Sequence, residues 1–182
     1  MKVFARFIIY TVLGWKTVGS FPKELKKYII IAAPHTHWLD FPLAIMIKWA
    51  EGAPINYIGK ASLFKPPFGF IFRWLGGTPI DRSKNNNKVE GIVAIFNHKE
   101  RFILALSPEG TREKVANWKT GFYYIAKGAN VPVVMAALDF KNKEVRIAKP
   151  YFLTKNMDED MNFFHKYFEN VQGKIPENYQ PL

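Results

Sequence analysis

Three stretches of the chain are apolar almost without interruption and end at a proline or a polar break: Tyr28-Ile29-Ile30-Ile31-Ala32-Ala33, Phe102-Ile103-Leu104-Ala105-Leu106 and Val131-Pro132-Val133-Val134-Met135-Ala136-Ala137-Leu138. Short apolar runs rich in β-branched residues predict buried strands. Between them the period changes. Leu39 to Ala50 follows a helical spacing, and Val89, Ile92, Val93 and Phe96 fall at i, i+3, i+4 and i+7, one apolar stripe of a helix. Further helices are predicted around Tyr123 to Lys127 and from Met157 to Gln172. Ile55 to Ile58 reads as a strand, Thr78-Pro79-Ile80 as a short extended piece, and Glu144 to Ala148 as a strand returning antiparallel across Lys141-Asn142-Lys143. Strands alternating with helices imply an α/β fold over residues 1–182. The expected form is a single layered domain with a mixed, largely parallel β-sheet flanked by helices and a site at the carboxyl ends of its strands.

Two segments depart from this alternation. Leu63 to Leu75 is apolar nearly all round, and Pro66-Pro67 is expected to open its helix; Gly76-Gly77 ends it, and a polar loop follows at Ser83 to Lys88. Met1 to Leu13 is apolar but broken by Lys2 and Arg6, too short to span a bilayer and without the small-residue cleavage site of a signal peptide. Residues 1–20 therefore suggest a helix lying on a membrane surface or one packed on its own domain.

Composition sharpens the picture. With 48% hydrophobic residues and 16 Phe among 182, the chain is too apolar for disorder and rich for a small soluble domain, so some apolar surface is expected to face lipid. A formal charge of +11 attracts polyanions: nucleic acid, an anionic bilayer or a phosphate-bearing substrate. The basic residues are scattered and no nucleic-acid motif is visible, which argues against nucleic acid as the partner. The absence of cysteine excludes disulfides, thiolate metal sites and a Cys nucleophile, and it fits a reducing compartment. Ser62, Ser83 and Ser107 sit in no nucleophile-elbow sequence.

The chemistry concentrates in two loops that follow predicted strands. In Pro34-His35-Thr36-His37-Trp38-Leu39-Asp40, the carboxylate of Asp40 in the first helical turn can reach back to one imidazole nitrogen of His35, leaving the other to face a substrate. That pairing makes a general base. Asp40 as a mere helix cap, and His37 as the base or a metal ligand, are the alternatives, although no ligand cluster surrounds His37 and no metal is expected. Pro108-Glu109-Gly110-Thr111-Arg112 combines a bend, a Gly open to close approach and opposite charges at a loop tip. Arg112 can grip a phosphate with its planar fork, while Glu109 either accepts from a substrate hydroxyl or holds Arg112. Arg82 adds a second guanidinium, ranked above the loop cations Lys60 and Lys119; His98 and His165 receive no role.

In this order the pieces resemble the glycerolipid acyltransferase family, typified by 1-acylglycerol-3-phosphate acyltransferases. His35 to Asp40 looks like its His-x4-Asp motif, Gly77 to Arg82 its second motif, Pro108 to Arg112 its third and Val131 to Val134 its fourth. The resemblance runs from about Pro34 to Leu138. It implies that His35 is the base and Asp40 its partner. Arg82, Glu109, Gly110, Thr111 and Arg112, with Lys119 nearby, would hold the acceptor's phosphate and glycerol, and Pro132 would shape the acyl-donor region. It also implies O-acyl transfer from an acyl-CoA or acyl-carrier-protein thioester to a lysophospholipid without a cofactor or acyl-enzyme. With the charge and the apolar surface, the expected location is cytoplasmic, peripherally associated with the inner face of an anionic membrane. Pro34, His37 and Met135 stand where the family often has Asn, Ser and Pro. A different lyso-lipid acceptor, or hydrolysis of a lipid or thioester by the same His-Asp pair, are the alternative reactions.

Overall fold

The structure is a computed structural model that describes residues 1–80 and 88–180. The apolar runs form the central strands. β1 (Lys16–Val18), β2 (Lys27–Ala33), β3 (Ile55–Lys60), β4 (Gly77–Ile80), β5 (Phe102–Leu106), β6 (Val133–Asp139) and β7 (Glu144–Ile147) make one seven-stranded sheet in the order β1-β7-β6-β2-β5-β3-β4. β6, β2, β5, β3 and β4 run parallel, and β7 lies antiparallel on β6. The predicted mixed, largely parallel sheet is what forms, and its centre is β2.

Because strand side chains alternate in direction, β2 feeds two cores. Ile29, Ile31 and Ala33 pack with Phe96 of α4 (Lys88–His98), Phe122 of α5 (Gly121–Ala129) and Phe164 and Phe168 of α6 (Met157–Phe168). Tyr28 and Ile30 meet Leu43 and Ile47 of α2 (Asp40–Glu51) and Ile9 from the N-terminal helix on the other face. Each fully buried aromatic or aliphatic side chain of this kind contributes on the order of 1.5–3 kcal/mol. Two faces sealed in this way leave the polar residues at the strand ends as the open part of the sheet.

The N-terminal segment is α1 (Lys2–Arg6) continued by a π-helical turn, Phe7–Val12. Ala5 and Ile9 are buried and the Tyr10 hydroxyl donates to Glu51 of α2, so this helix packs on its own domain, while Val3, Phe4 and Phe7 point outward. β1 is an element that the hydrophobic pattern does not announce. Three residues between Gly14 and Gly19 pair along β7, and a strand that short has no period to read. The Pro66-Pro67 pair does not start a helix directly. A 3₁₀ turn, Ala61–Phe64, precedes it and α3 (Gly69–Trp74) begins two residues beyond it, because a residue ahead of proline is driven to extended backbone, as Lys65 is with ψ 153°.

α6 stops at Phe168, short of the predicted Gln172. Its first turn is fixed by the Asn156 side chain, which accepts from the amides of Asp158 and Glu159, and by Asp160, a fully buried carboxylate. Burial opposes the charge on Asp160, but donation from the Thr154 amide and the hydroxyls of Tyr151 and Tyr123 outweighs it and holds the carboxyl below its ordinary range.

Candidate active site

β2 ends at Ala33 and β5 at Leu106, and the register Ile31↔Leu106 puts the two following loops side by side at the carboxyl edge of the sheet. His35 emerges from the first loop and Glu109 from the second. The His35 amide donates to both Glu109 oxygens at 3.1 and 2.9 Å, and the Ser107 hydroxyl donates to the same carboxylate at 2.8 Å. Glu109 is 3% exposed. Its carboxylate is taken up by the His35 amide and the Ser107 hydroxyl, a part that neither sequence reading of Glu109 named: fixing the backbone of His35. Burial pushes its carboxyl above the ordinary carboxylate range, against the pull of Ser107 and the His35 amide.

Asp40 opens α2 and folds back under the loop. Its Oδ2 accepts from the amides of Thr36 at 2.8 Å and His37 at 2.9 Å, and lies 3.0 Å from His35 Nδ1. The two amides hold that oxygen as an acceptor, so Nδ1 carries the hydrogen and Nε2 presents a lone pair to the outside. Asp40 is 2% exposed, whereas the His35 side chain is 30% exposed. A buried carboxylate behind a half-open imidazole is the geometry of a general base with its orienting partner. His37 is engaged differently: its Nδ1 accepts from the Leu39 amide at 3.2 Å and its ring leans on Trp38. Among the described residues no three His, Cys, Asp or Glu side chains cluster as a metal site would require.

His35 and Asp40 lie at one end of a cavity of about 430 Å³. Its walls are mostly apolar. Phe41, Ala44, Ile45 and Lys48 line it from a single stripe of α2, opposite Ile55, Tyr57 and Ile58 of β3, with Ala105, Leu106 and Leu138 between. Lys48 sits at the far end of the α2 stripe, donating to the Leu75 carbonyl at 2.8 Å; half-burial lowers its ammonium below the ordinary lysine value. A second, more polar cavity of about 390 Å³ lies beside the loop, lined by Thr36, His37, Trp38, Thr111, Arg112 and Glu113. The two predicted loops thus share one site with an apolar and a cationic side.

The other candidates divide. Gly110 takes φ +66°, a left-handed conformation that suits Gly, and a Cβ there would come within 2.7 Å of the Lys119 ammonium. Lys119 covers this loop, its amide donating to the Pro108 carbonyl at 2.7 Å. Thr111 and Arg112 border the polar cavity. Arg82, with Ser83 to Asn87 of the polar loop that follows it, lies outside the described residues, and Lys88 already opens α4. Pro132 is at the other end of the sheet: the residue after it, Val133, pairs with Ile29, six residues before His35 and so roughly 20 Å away in extended chain. Thr36, Lys48 and Tyr57 belong to the site or its walls without having been singled out in sequence; only Lys48 had a signal, as the one charge on an apolar helical stripe.

The state of Glu109 has a measurable consequence. Its pKa is raised in the folded protein, so the folded state holds the proton more tightly than the unfolded chain, and this group's contribution to stability falls as pH rises from the ordinary glutamate value through the raised one. Glu109→Gln removes that titration. Thermal unfolding from pH 4 to 8 should show the wild type losing stability relative to the variant as pH rises through that window; parallel curves would contradict the burial argument.

The similarities of the chain to known proteins fall on this region. Residues 16–139 match the family described as Acyltransferase. Over 142 residues, 74% of this chain, it is 30% identical to the 1-acyl-sn-glycerol-3-phosphate acyltransferase of Escherichia coli strain K12 and 32% identical to that of Salmonella typhimurium. The chain spans 57% of the length of these curated relatives. Its fold is similar to the crystal structure of the 1-acyl-sn-glycerophosphate (LPA) acyltransferase PlsC from Thermotoga maritima, with a TM-score of 0.62 at 20% identity, covering 91% of this chain and 74% of that one.

Proposed function

Because the chain belongs to the acyltransferase family, we propose that it transfers a fatty acyl group from an acyl-CoA or acyl-carrier-protein thioester to a hydroxyl of a lysophospholipid such as 1-acylglycerol-3-phosphate. The observation that carries this reading is the His35–Asp40 pair at 3.0 Å in the wall of an apolar cavity, with Thr36 and His37 of the same loop lining a polar cavity that contains Arg112. Nε2 of His35 takes the proton of the acceptor hydroxyl as its oxygen attacks the thioester carbonyl. The tetrahedral intermediate then collapses, expelling the thiolate, which recovers a proton from the imidazolium. Asp40 stabilises the imidazolium between these steps. The apolar cavity suits the acyl chain, and Arg112, with Thr111 and Arg82, suits the acceptor phosphate through charge-assisted hydrogen bonds.

Reaction with a lipid acceptor calls for contact with a bilayer. No helix among the described residues is long and apolar enough to cross a membrane. However, Phe68, Phe70 and Trp74, on or next to α3, are more than half exposed, beside Lys65 and Arg73, and Phe41 lines the apolar cavity and leans on Tyr57. Exposed aromatics beside cations are suited to the headgroup boundary of an anionic leaflet, which supports peripheral attachment at the inner face of the cytoplasmic membrane. Phe70→Ser with Trp74→Ser should weaken sedimentation with anionic vesicles roughly tenfold or more at unchanged fold; unaltered binding would move the attachment elsewhere.

The test of the reaction is direct. Labelled acyl-CoA and acyl-carrier protein, each incubated with a panel of lysolipids and with no acceptor, should give a diacyl lipid only where the acceptor is present. Release of free fatty acid irrespective of acceptor would make the protein a hydrolase.

A further inference from the structure

The chain beyond α6 turns back across the site. Val171 is buried, and the Gln172 carbonyl accepts from the Phe140 amide at 2.9 Å, just past the end of β6. Ile175 then donates its amide to Oγ1 of Thr36 at 3.2 Å. Gly173, between these two anchors, is packed so closely on the His35 loop that a Cβ added to it would lie 2.7 Å from both Oγ1 and Cγ2 of Thr36 and 3.2 Å from Cβ of Pro34. Farther along, the Tyr179 hydroxyl donates to the Phe168 carbonyl at 3.4 Å, and burial together with the nearby charge of Glu109 pushes its phenol up. Residues 171–179 themselves lie outside residues 16–139, the stretch shared with the family.

Thr36 is where this strap meets the catalytic pair. It is 2% exposed, its amide is one of the two backbone donors on Asp40 Oδ2, and its hydroxyl oxygen is the acceptor for the tail. One residue therefore ties the carboxylate that orients His35 to a segment well over a hundred residues later in the chain.

We propose that Thr36 is a positioning residue for the His35–Asp40 pair, locked by the C-terminal strap of residues 171–179, and that the strap is required to hold the base in register. The inference rests on the acyl-transfer reading for its kinetic consequence but not for its structural one. Without the strap, the Thr36 amide is free to swing away from Asp40, and displacements of about 1 Å at a catalytic group can cost on the order of a hundredfold in rate.

Three substitutions test it. Thr36→Val keeps the shape of the side chain and deletes the hydroxyl that accepts from Ile175; Thr36→Ser keeps that hydroxyl. Gly173→Ala places a methyl against a short β-branched side chain and a proline ring, where neither can move aside, although no left-handed backbone bars alanine there. The expected result is that Thr36→Val and Gly173→Ala lower kcat by about ten- to a hundredfold at nearly constant KM, while Thr36→Ser stays close to wild type. Hydrogen exchange, read without any substrate, should show the amides at positions 36 and 37 opening at least about tenfold faster in Thr36→Val and Gly173→Ala only, with global protection retained. Wild-type exchange at 36 and 37 in both variants would overturn the proposal, as would equal losses in Thr36→Val and Thr36→Ser that merely follow melting temperature. Should the wild-type protein transfer no acyl group, the functional reading falls, and the exchange rates still decide whether the strap holds the loop.

Discussion

Replacing His35 with alanine should lower acyl transfer on the order of 10²–10⁴-fold, the range for loss of a positioned general base, while leaving the fold and the KM for acceptor nearly unchanged. The fold should survive because the backbone of His35 does the structural work. Its amide on Glu109 is kept by alanine, and Asp40 loses one donor of three while the Thr36 and His37 amides remain on the same oxygen. A partly exposed ring leaves no large cavity, so the stability cost should stay near 1 kcal/mol. KM should hold because the groups suited to the acyl chain and phosphate, the α2 stripe and Arg112, are separate from the imidazole. Steady-state kinetics on the folded variant, checked by circular dichroism, decides it: activity within a few fold of wild type removes His35 from proton transfer.

What the sequence made legible follows from how each feature is encoded. The central strands are apolar runs and the helices have stripes, so local pattern suffices for both, and the strand-end location of His35 and Glu109 follows from the α/β rule. Even the His35–Asp40 contact is local, five residues apart across the first turn of α2. Long-range partners are not encoded in this way. Nothing near Glu109 indicates that it accepts from an amide 74 residues earlier, and opposite charges in one loop pointed to Arg112 as its neighbour. Thr36 is invisible for the same reason, since its acceptor role depends on Ile175, 139 residues away.

The apolar segment from Leu63 to Leu75 is a different case. Its pattern, apolar all round, is that of a buried helix, yet Phe68, Phe70 and Trp74 are exposed and only Phe64 and Gly69 are covered. Among the described residues the sheet ends at β4 and no element covers the outer side of α3. Hydrophobicity alone cannot distinguish a core from a face turned to lipid. The expectation from composition, that some apolar surface faces lipid, is the level at which the sequence carries this information.

Asp40→Asn should cost nearly as much catalysis as loss of His35, and for a reason the geometry isolates. All three donors around Asp40 converge on one oxygen, Oδ2, while Oδ1 is buried without a hydrogen-bond partner among the described residues. An asparagine must therefore keep its carbonyl at the Oδ2 position, because an amide nitrogen there would face three N–H groups. The loop, the His35 tautomer and the ring orientation are then preserved, and the amide nitrogen takes the place of Oδ1. Two effects remain. The new N–H₂ is buried with no acceptor, a destabilisation of about 1–3 kcal/mol, and the negative charge that stabilises the imidazolium is gone. Acyl transfer should fall on the order of 10²–10⁴-fold with KM little changed, while exchange at the Thr36 and His37 amides stays slow. That combination separates the substitution from Thr36→Val, in which the carboxylate is intact and the amides loosen. Near wild-type kcat in a folded Asp40→Asn protein would show that the buried carboxylate only shapes the loop and contributes no charge to the reaction.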